Sequence, residues 1–206
     1  TESPADLSNT HLTITGPSTL NLDTDATDPA LGNLDMTADF TLAGASGASF
    51  GDVIMGDGTT YTGDIGIRGM LSPGDSPGSA SVVGDLLLTE TTVLDWEFGP
   101  ESRDFIDVDG DLVLDGILDI TDLGGGLTMG STYDLLAYSG TVTDNGLSLG
   151  TIPEGWTADQ FSIMIQETGS GIVQLDIVPE PATLVLLGVG GMLAGRRRRH
   201  GAAVRS

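Results

Sequence analysis

Three aspartates, Asp107, Asp109 and Asp111, stand at alternate positions in DVDGDLVLD. Carboxylates in this rhythm suit a calcium loop. The EF-hand pattern takes acids at positions 1, 3 and 5, glycine at 6 and glutamate at 12. Positions 6 and 12 here are Leu112 and Leu118, so that pattern fails. Two readings remain: a weak, exposed cation-binding ladder, or acids that face water on a strand. No cofactor is expected beyond such a weak calcium interaction.

Other candidates are sparser. Asp57 and Asp64 flank Tyr61 in GDGTTYTGD, which reads as a polar turn. Arg103 sits beside Glu101 and Asp104 in GPESRD, where a surface ion pair is the expectation, and such pairs contribute little. His11 and His200 are the only histidines, so no Ser-His-Asp or metal-histidine set can be assembled. Two carboxylates across a groove could still hydrolyse a glycosidic bond. Trp96, Trp156, Tyr133 and Tyr138 could form a sugar-stacking platform, although such aromatics more often fill a core or cap its end.

Charge narrows the partners. Residues 1–195 set two arginines, Arg68 and Arg103, against all 30 acids, a formal −28. The last eleven residues carry five arginines. An acidic body repels phosphates, which excludes nucleic acid as a partner. The chain contains neither lysine nor cysteine, so disulfides and thiol chemistry are out. Its opening, TESPADLSNT, lacks a basic start and an apolar run, so any signal peptide was removed or lies upstream.

These residues sit on a strand pattern. In FIDVDGDLVLDGILDIT, Ile106, Val108, Leu112, Leu114, Leu118 and Ile120 share one parity, and the aspartates take the other. Successive strand side chains point to opposite faces, so the segment reads as apolar inside and acidic outside. Gly110 and Gly116 fall on the inward parity and mark bends. The pattern recurs at Leu12, Ile14, Leu20 and Leu22, and at Leu34, Met36, Ala38, Phe40 and Leu42. It returns at Val82, Leu86 and Leu88 and in the run from Val93 to Phe98. Turn clusters such as ASGASFGD, SPGDSPGS and LGGGLTMGS separate these segments. Gly is 31 of 206 residues and aromatics are few, which suits a thin ladder better than a thick globule. The pieces GDLLL, GDLVL and GILDI suggest irregular rungs of roughly 20 residues in a solenoid.

Two stretches resemble known families. LSPGDSPGSASVVGDLLLTETTVLDWEFG resembles the autotransporter passenger repeat, L-S-P-G-N-S-P-G followed by T-L-x-V-x-G-[DN]-L-x-L. It departs at Asp75 and at Ser79-Ala80-Ser81. The likeness extends over about residues 66–177 and implies a right-handed parallel β-helix. The second stretch is VPEPATLVLLGVGGMLAGRRRRH, which resembles the PEP-CTERM sorting signal of Gram-negative bacteria. Val178, Pro179, Glu180 and Pro181 match its motif, an apolar segment follows, and Arg196, Arg197, Arg198 and Arg199 match its basic cluster. That resemblance implies export, transient retention in the inner membrane, recognition and cleavage by an exosortase, and release to the surface or matrix.

Elementary physics fits the tail to that role. The uncharged stretch 182–195 carries Ala182, Leu184, Val185, Leu186, Leu187, Val189, Met192 and Leu193. As a helix it spans about 21 Å, short of the ~30 Å hydrocarbon core. Snorkelling arginines and local thinning accommodate the shortfall, and the arginines orient the tail to the cytoplasm. Pro179 and Pro181 keep the preceding peptide extended, within reach of a processing enzyme.

The sequence therefore predicts an all-β chain, a parallel β-helix or β-solenoid over 1–177 with antiparallel strands over about 130–177. A short hydrophobic C-terminal helix within a sorting tail at 178–200 and a disordered end at 201–206 complete it. The expected role is a non-catalytic surface or biofilm-matrix protein. Its expected partners are an exosortase-type enzyme, inner-membrane lipid and extracellular polysaccharide. A carbohydrate-binding adhesin and a polysaccharide-degrading β-helix enzyme are the alternatives.

Overall fold

A computed structural model describes residues 9–21, 30–43, 47–74, 77–166 and 170–178. Strands β1 (His11–Ile14), β2 (Ser18–Asn21), β3 (Asn33–Met36) and β4 (Phe40–Ala43) come first. Four complete three-strand turns follow. They are β5 (Ala48–Phe50), β6 (Val53–Met55) and β7 (Thr59–Thr62), then β8 (Ile65–Ile67), β9 (Met70–Pro73) and β10 (Ser79–Val83). Next come β11 (Leu86–Leu88), β12 (Val93–Phe98) and β13 (Phe105–Val108), then β14 (Leu112–Leu114), β15 (Ile117–Asp122) and β16 (Thr132–Tyr138). The described residues close with β17 (Val142–Asp144), β18 (Ser148–Leu149), a 3-10 turn (Ala158–Gln160), β19 (Phe161–Ile165) and β20 (Gly171–Ile177).

The strands stack into three sheets. Sheet A runs β1-β3-β6-β9-β12-β15-β18, sheet B runs β2-β4-β7-β10-β13-β16-β20-β19, and sheet C runs β5-β8-β11-β14-β17. All pairings from β1 to β18 are parallel. This is the expected parallel β-solenoid, and residues before 66 join the same three sheets. Among the described strands, antiparallel pairing joins only β16–β20 and β19–β20, with one isolated antiparallel bridge between Phe98 and Arg103. Residues 142–149, expected within the antiparallel end, instead continue the parallel stack as β17 and β18.

Parallel register places like side chains above one another inside the solenoid. Leu34, Val53, Leu71, Leu94, Leu118 and Leu149 form one column along sheet A. Phe40, Tyr61, Val82, Val108 and Tyr138 form another along sheet B. In sheet C, Ala48, Ile65, Leu86, Leu112 and Val142 align. Each inner side chain is desolvated by the rungs on both sides, so a core only a few residues wide still excludes water. The six residues that share the inward parity of the DVDGD segment are all buried. Gly110 and Gly116 sit at the corners between β13 and β14 and between β14 and β15, as their parity suggested. Trp156 packs on Phe161 with ring centroids 5.6 Å apart, near the antiparallel strands at the end of the stack.

Candidate functional site

The acids are arranged by the corners. Between sheets B and C the chain turns through Gly63-Asp64, Gly84-Asp85, Gly110-Asp111 and Gly140-Thr141. Each aspartate reaches along the solenoid axis to the next rung. Asp64 Oδ1 accepts the Asp85 N–H at 2.9 Å, Asp85 Oδ1 accepts the Asp111 N–H at 2.7 Å, and Asp111 Oδ1 accepts the Thr141 N–H at 2.7 Å. These N–H groups lie at bends where the ladder is interrupted, so the carboxylates satisfy donors the sheets cannot. The glycines permit the close stacking: a Cβ on Gly84 would lie 2.2 Å from Gly63 O, and one on Gly110 would lie 2.2 Å from Gly84 O.

The same device recurs at other corners: Asp39 accepts from Thr60 N–H at 2.9 Å, Asp52 from Met70 N–H at 2.9 Å and Asp57 from Ser79 N–H at 2.8 Å. Within strand β15, Asp119 likewise accepts from Thr151 N–H at 2.6 Å. Much of the acidity expected merely to solvate the surface instead cross-links rungs. Asp57 and Asp64 belong to this set, while Tyr61 between them is buried against Phe40 and Phe50.

The three aspartates of DVDGD are separated by the fold. Asp107 is exposed on the outer face of β13, and Asp109, just past the end of that strand, accepts the Ser139 hydroxyl at 2.9 Å. Asp111 belongs to the B–C corner row. Among the described residues no group of three or more His, Asp or Glu is arranged to hold a metal ion.

A different acid is set apart by burial. Asp104 is 1% exposed; its Oδ1 accepts Gly78 N–H at 2.8 Å and its Oδ2 accepts Glu97 N–H at 2.8 Å. Its carbonyl takes the Trp96 indole N–H at 2.9 Å. Burial pushes the Asp104 carboxyl up to about 7, aided by the Glu97 and Asp95 charges and opposed by the two N–H donors. Burial likewise raises Asp95, as do the charges of Glu97 and Asp119. Asp104 ties three chain segments together and offers no access to a substrate. The expected ion pairing of Arg103 with Glu101 or Asp104 is replaced by one with Asp134 at 3.6 Å, because Asp104 turns into the interior.

The aromatic candidates do not form a platform. Trp96 and Tyr138 are buried, Trp156 is half-buried against Phe161, and Tyr133 is half-buried, its ring 5.3 Å from that of Phe98. The Tyr133 hydroxyl donates to Gly126 O. These residues stabilise the corners and the end of the stack.

Beside the aspartate row runs a groove of about 380 Å³ on the outer face of sheet C. Ser49, Gly66, Leu87, Val113 and Thr143 project onto its floor, and Asp64, Asp85 and Asp111 line one side. Sequence parity marks Leu87 and Val113 as outward. It cannot show that they share a groove, since that requires the rung register. The Gly-Asp openings of GDLLL and GDLVL were the available signal. GILDI belongs to another corner, where Gly116 leads into β15.

Strand β20 ends at Ile177, and Val178 N–H donates to Gln160 O at 2.8 Å. Pro179, Glu180 and Pro181, the apolar segment and the four arginines lie outside the described residues, as do the expected tail helix and end. Among the described residues no helix is long and apolar enough to cross a membrane. Residues 178–199 match the PEP-CTERM protein-sorting motif family, beginning directly after the last described strand. The chain carries a PEP-CTERM sorting signal. That motif implies processing by an exosortase-type membrane enzyme. The chain is also 35% identical, over 102 aligned residues, to the Adhesin BmaC autotransporter of Brucella suis biovar 1 (strain 1330). This match covers 46% of the chain and 3% of that protein, so the chain spans only a small part of its relative. The PEP-CTERM signal, the adhesin likeness and the β-solenoid together support an exported, surface-directed β-helix protein.

Proposed function

We propose that the chain is a non-catalytic surface or extracellular-matrix protein, a stiff acidic β-helix delivered by its tail. The tail holds the exported chain in the inner membrane. An exosortase then cuts near Pro179 to Pro181 and releases the body to the surface or biofilm. The observation that carries this reading is the junction: the last described strand ends at Ile177 and the sorting motif starts at Val178. Cleavage there removes the tail without cutting a strand, so the core columns stay intact.

The non-catalytic assignment is supported by what the acids do. The most perturbed carboxyl, Asp104, is buried on two backbone donors, and the corner aspartates hold neighbouring rungs. The carbohydrate-binding alternative draws on the relative's description as an adhesin, but its aromatic platform is absent among the described residues. A polysaccharide-degrading enzyme would need two accessible carboxylates facing one another.

Peptide mass spectrometry of the protein recovered from native cells tests the proposal. A C-terminus near Pro179 to Pro181 on extracellular protein is the expected result. Retention of Arg196 to Arg199 on protein that stays in the inner membrane would overturn it in favour of a permanent anchor.

A further inference from the structure

We propose that the groove on the outer face of sheet C docks an extended peptide strand rich in arginine or lysine. The groove goes beyond the sorting role and does not depend on it.

The floor supplies the first half of the argument. Leu87 is 45% exposed, and Val113 lies beside it in register on the next rung. Gly66, on the preceding rung, leaves the floor open at that end. Adjacent aliphatic side chains at the surface leave apolar area that a partner could cover.

The rim supplies the second half. Asp64, Asp85 and Asp111 form a row with one carboxylate per rung, about 4.8 Å apart by the spacing of paired strands. One oxygen of each is fixed by the next rung's N–H, which orders the side chain without neutralising it. The body cannot supply the missing cations. Arg68 gives its guanidinium to Leu31 O at 2.9 Å and Ser49 O at 3.2 Å, and Arg103 is bound to Asp134. Among the described residues the row therefore lacks a cationic partner within this chain.

An aliphatic floor beside an anionic rim matches the two parts of one kind of side chain. Arginine and lysine lay apolar stems on hydrophobic surface and carry the charge at the tip. A stem on Leu87 or Val113 brings the head to the aspartate row. The groove contains no aromatic ring, the usual platform for a neutral sugar. Its charge repels nucleic acid and acidic polymers.

The test is fluorescence anisotropy of a labelled oligo-arginine titrated with the full chain at low and physiological ionic strength. The groove variant is Asp85→Asn with Asp111→Asn. The control is Asp35→Asn with Asp107→Asn, which removes the same charge from sheets A and B. A third protein carries Leu87→Ser. The groove pair should weaken binding by about fivefold or more, in line with two modest charge contacts. The control pair should change it by less than about twofold. Leu87→Ser should also weaken it, most visibly at physiological salt, where screening leaves the floor the larger share. Equal losses in the two charge pairs, or no loss with Leu87→Ser, would overturn the proposal and leave diffuse attraction to an acidic surface. Urea midpoints measured on every variant separate lost binding from lost fold.

Discussion

Replacing Asp85 tests how the corner row works. Asp85 stands between two like charges, Asp64 and Asp111, each one rung away. At about 4.8 Å in water, each pair repels by about 0.9 kcal/mol. The central residue therefore carries roughly 2 kcal/mol of repulsion at low salt, and screening at physiological ionic strength about halves it. Opposing this is the bond from Asp111 N–H to Asp85 Oδ1, 2.7 Å long and formed at the surface. Such a bond contributes about 1 kcal/mol. Asp85→Asn keeps an acceptor oxygen and removes the charge, whereas Asp85→Ala removes both. The expected result from urea unfolding is that Asn exceeds Ala by about 1 kcal/mol at any salt concentration. The Asn variant should match or exceed the natural protein at low salt, with the advantage shrinking as salt is added. Equal stability of the Asn and Ala variants would show that the inter-rung bond contributes nothing. A salt-independent difference between Asp and Asn would refute the repulsion.

Two further predictions concern the same architecture. Asp104 is held near 7 in the fold against an ordinary value of 3.8, so the folded state binds its proton more tightly than the unfolded chain does. Its contribution to stability is full below the ordinary value and is lost as pH rises through about 7. Melting the natural protein and Asp104→Asn between about pH 5 and about pH 8 should show the natural protein losing more stability than the variant as pH rises. An identical pH slope in the two proteins would refute the assignment. Gly110→Ala places a Cβ 2.2 Å from Gly84 O and should cost more than about 2 kcal/mol in urea unfolding. Gly124→Ala, with φ +89 but no atom within 4 Å, should cost only about 1–2 kcal/mol.

The solenoid was legible because its signal is local. Whether Val108 or Asp109 faces inward depends on alternation along one strand, and Gly110 announces the corner on the same scale. The tail was legible for a similar reason, since Pro179 to Pro181, the apolar run and the arginines are contiguous. The aspartate row was not. Asp64 and Asp85 are 21 residues apart, and Asp85 and Asp111 are 26 apart, because the turns between rungs differ in length. Without a fixed period, no count along the chain reveals which acids stack. Arg103 illustrates the same limit: sequence proximity suggested Glu101 or Asp104, and the fold chose Asp134, 31 residues on.

Neighbouring residues carry the class of fold, the inward face of the strands and the motif at the C-terminus, so all three can be read along the chain. Which rungs lie together emerges only once the chain is folded. Folding thereby turned scattered aspartates into an ordered row, buried Asp104 and Trp96, and placed Leu87 and Val113 side by side. The physical reason is that inter-rung register follows from the length of every intervening loop and from the stacking of the whole core.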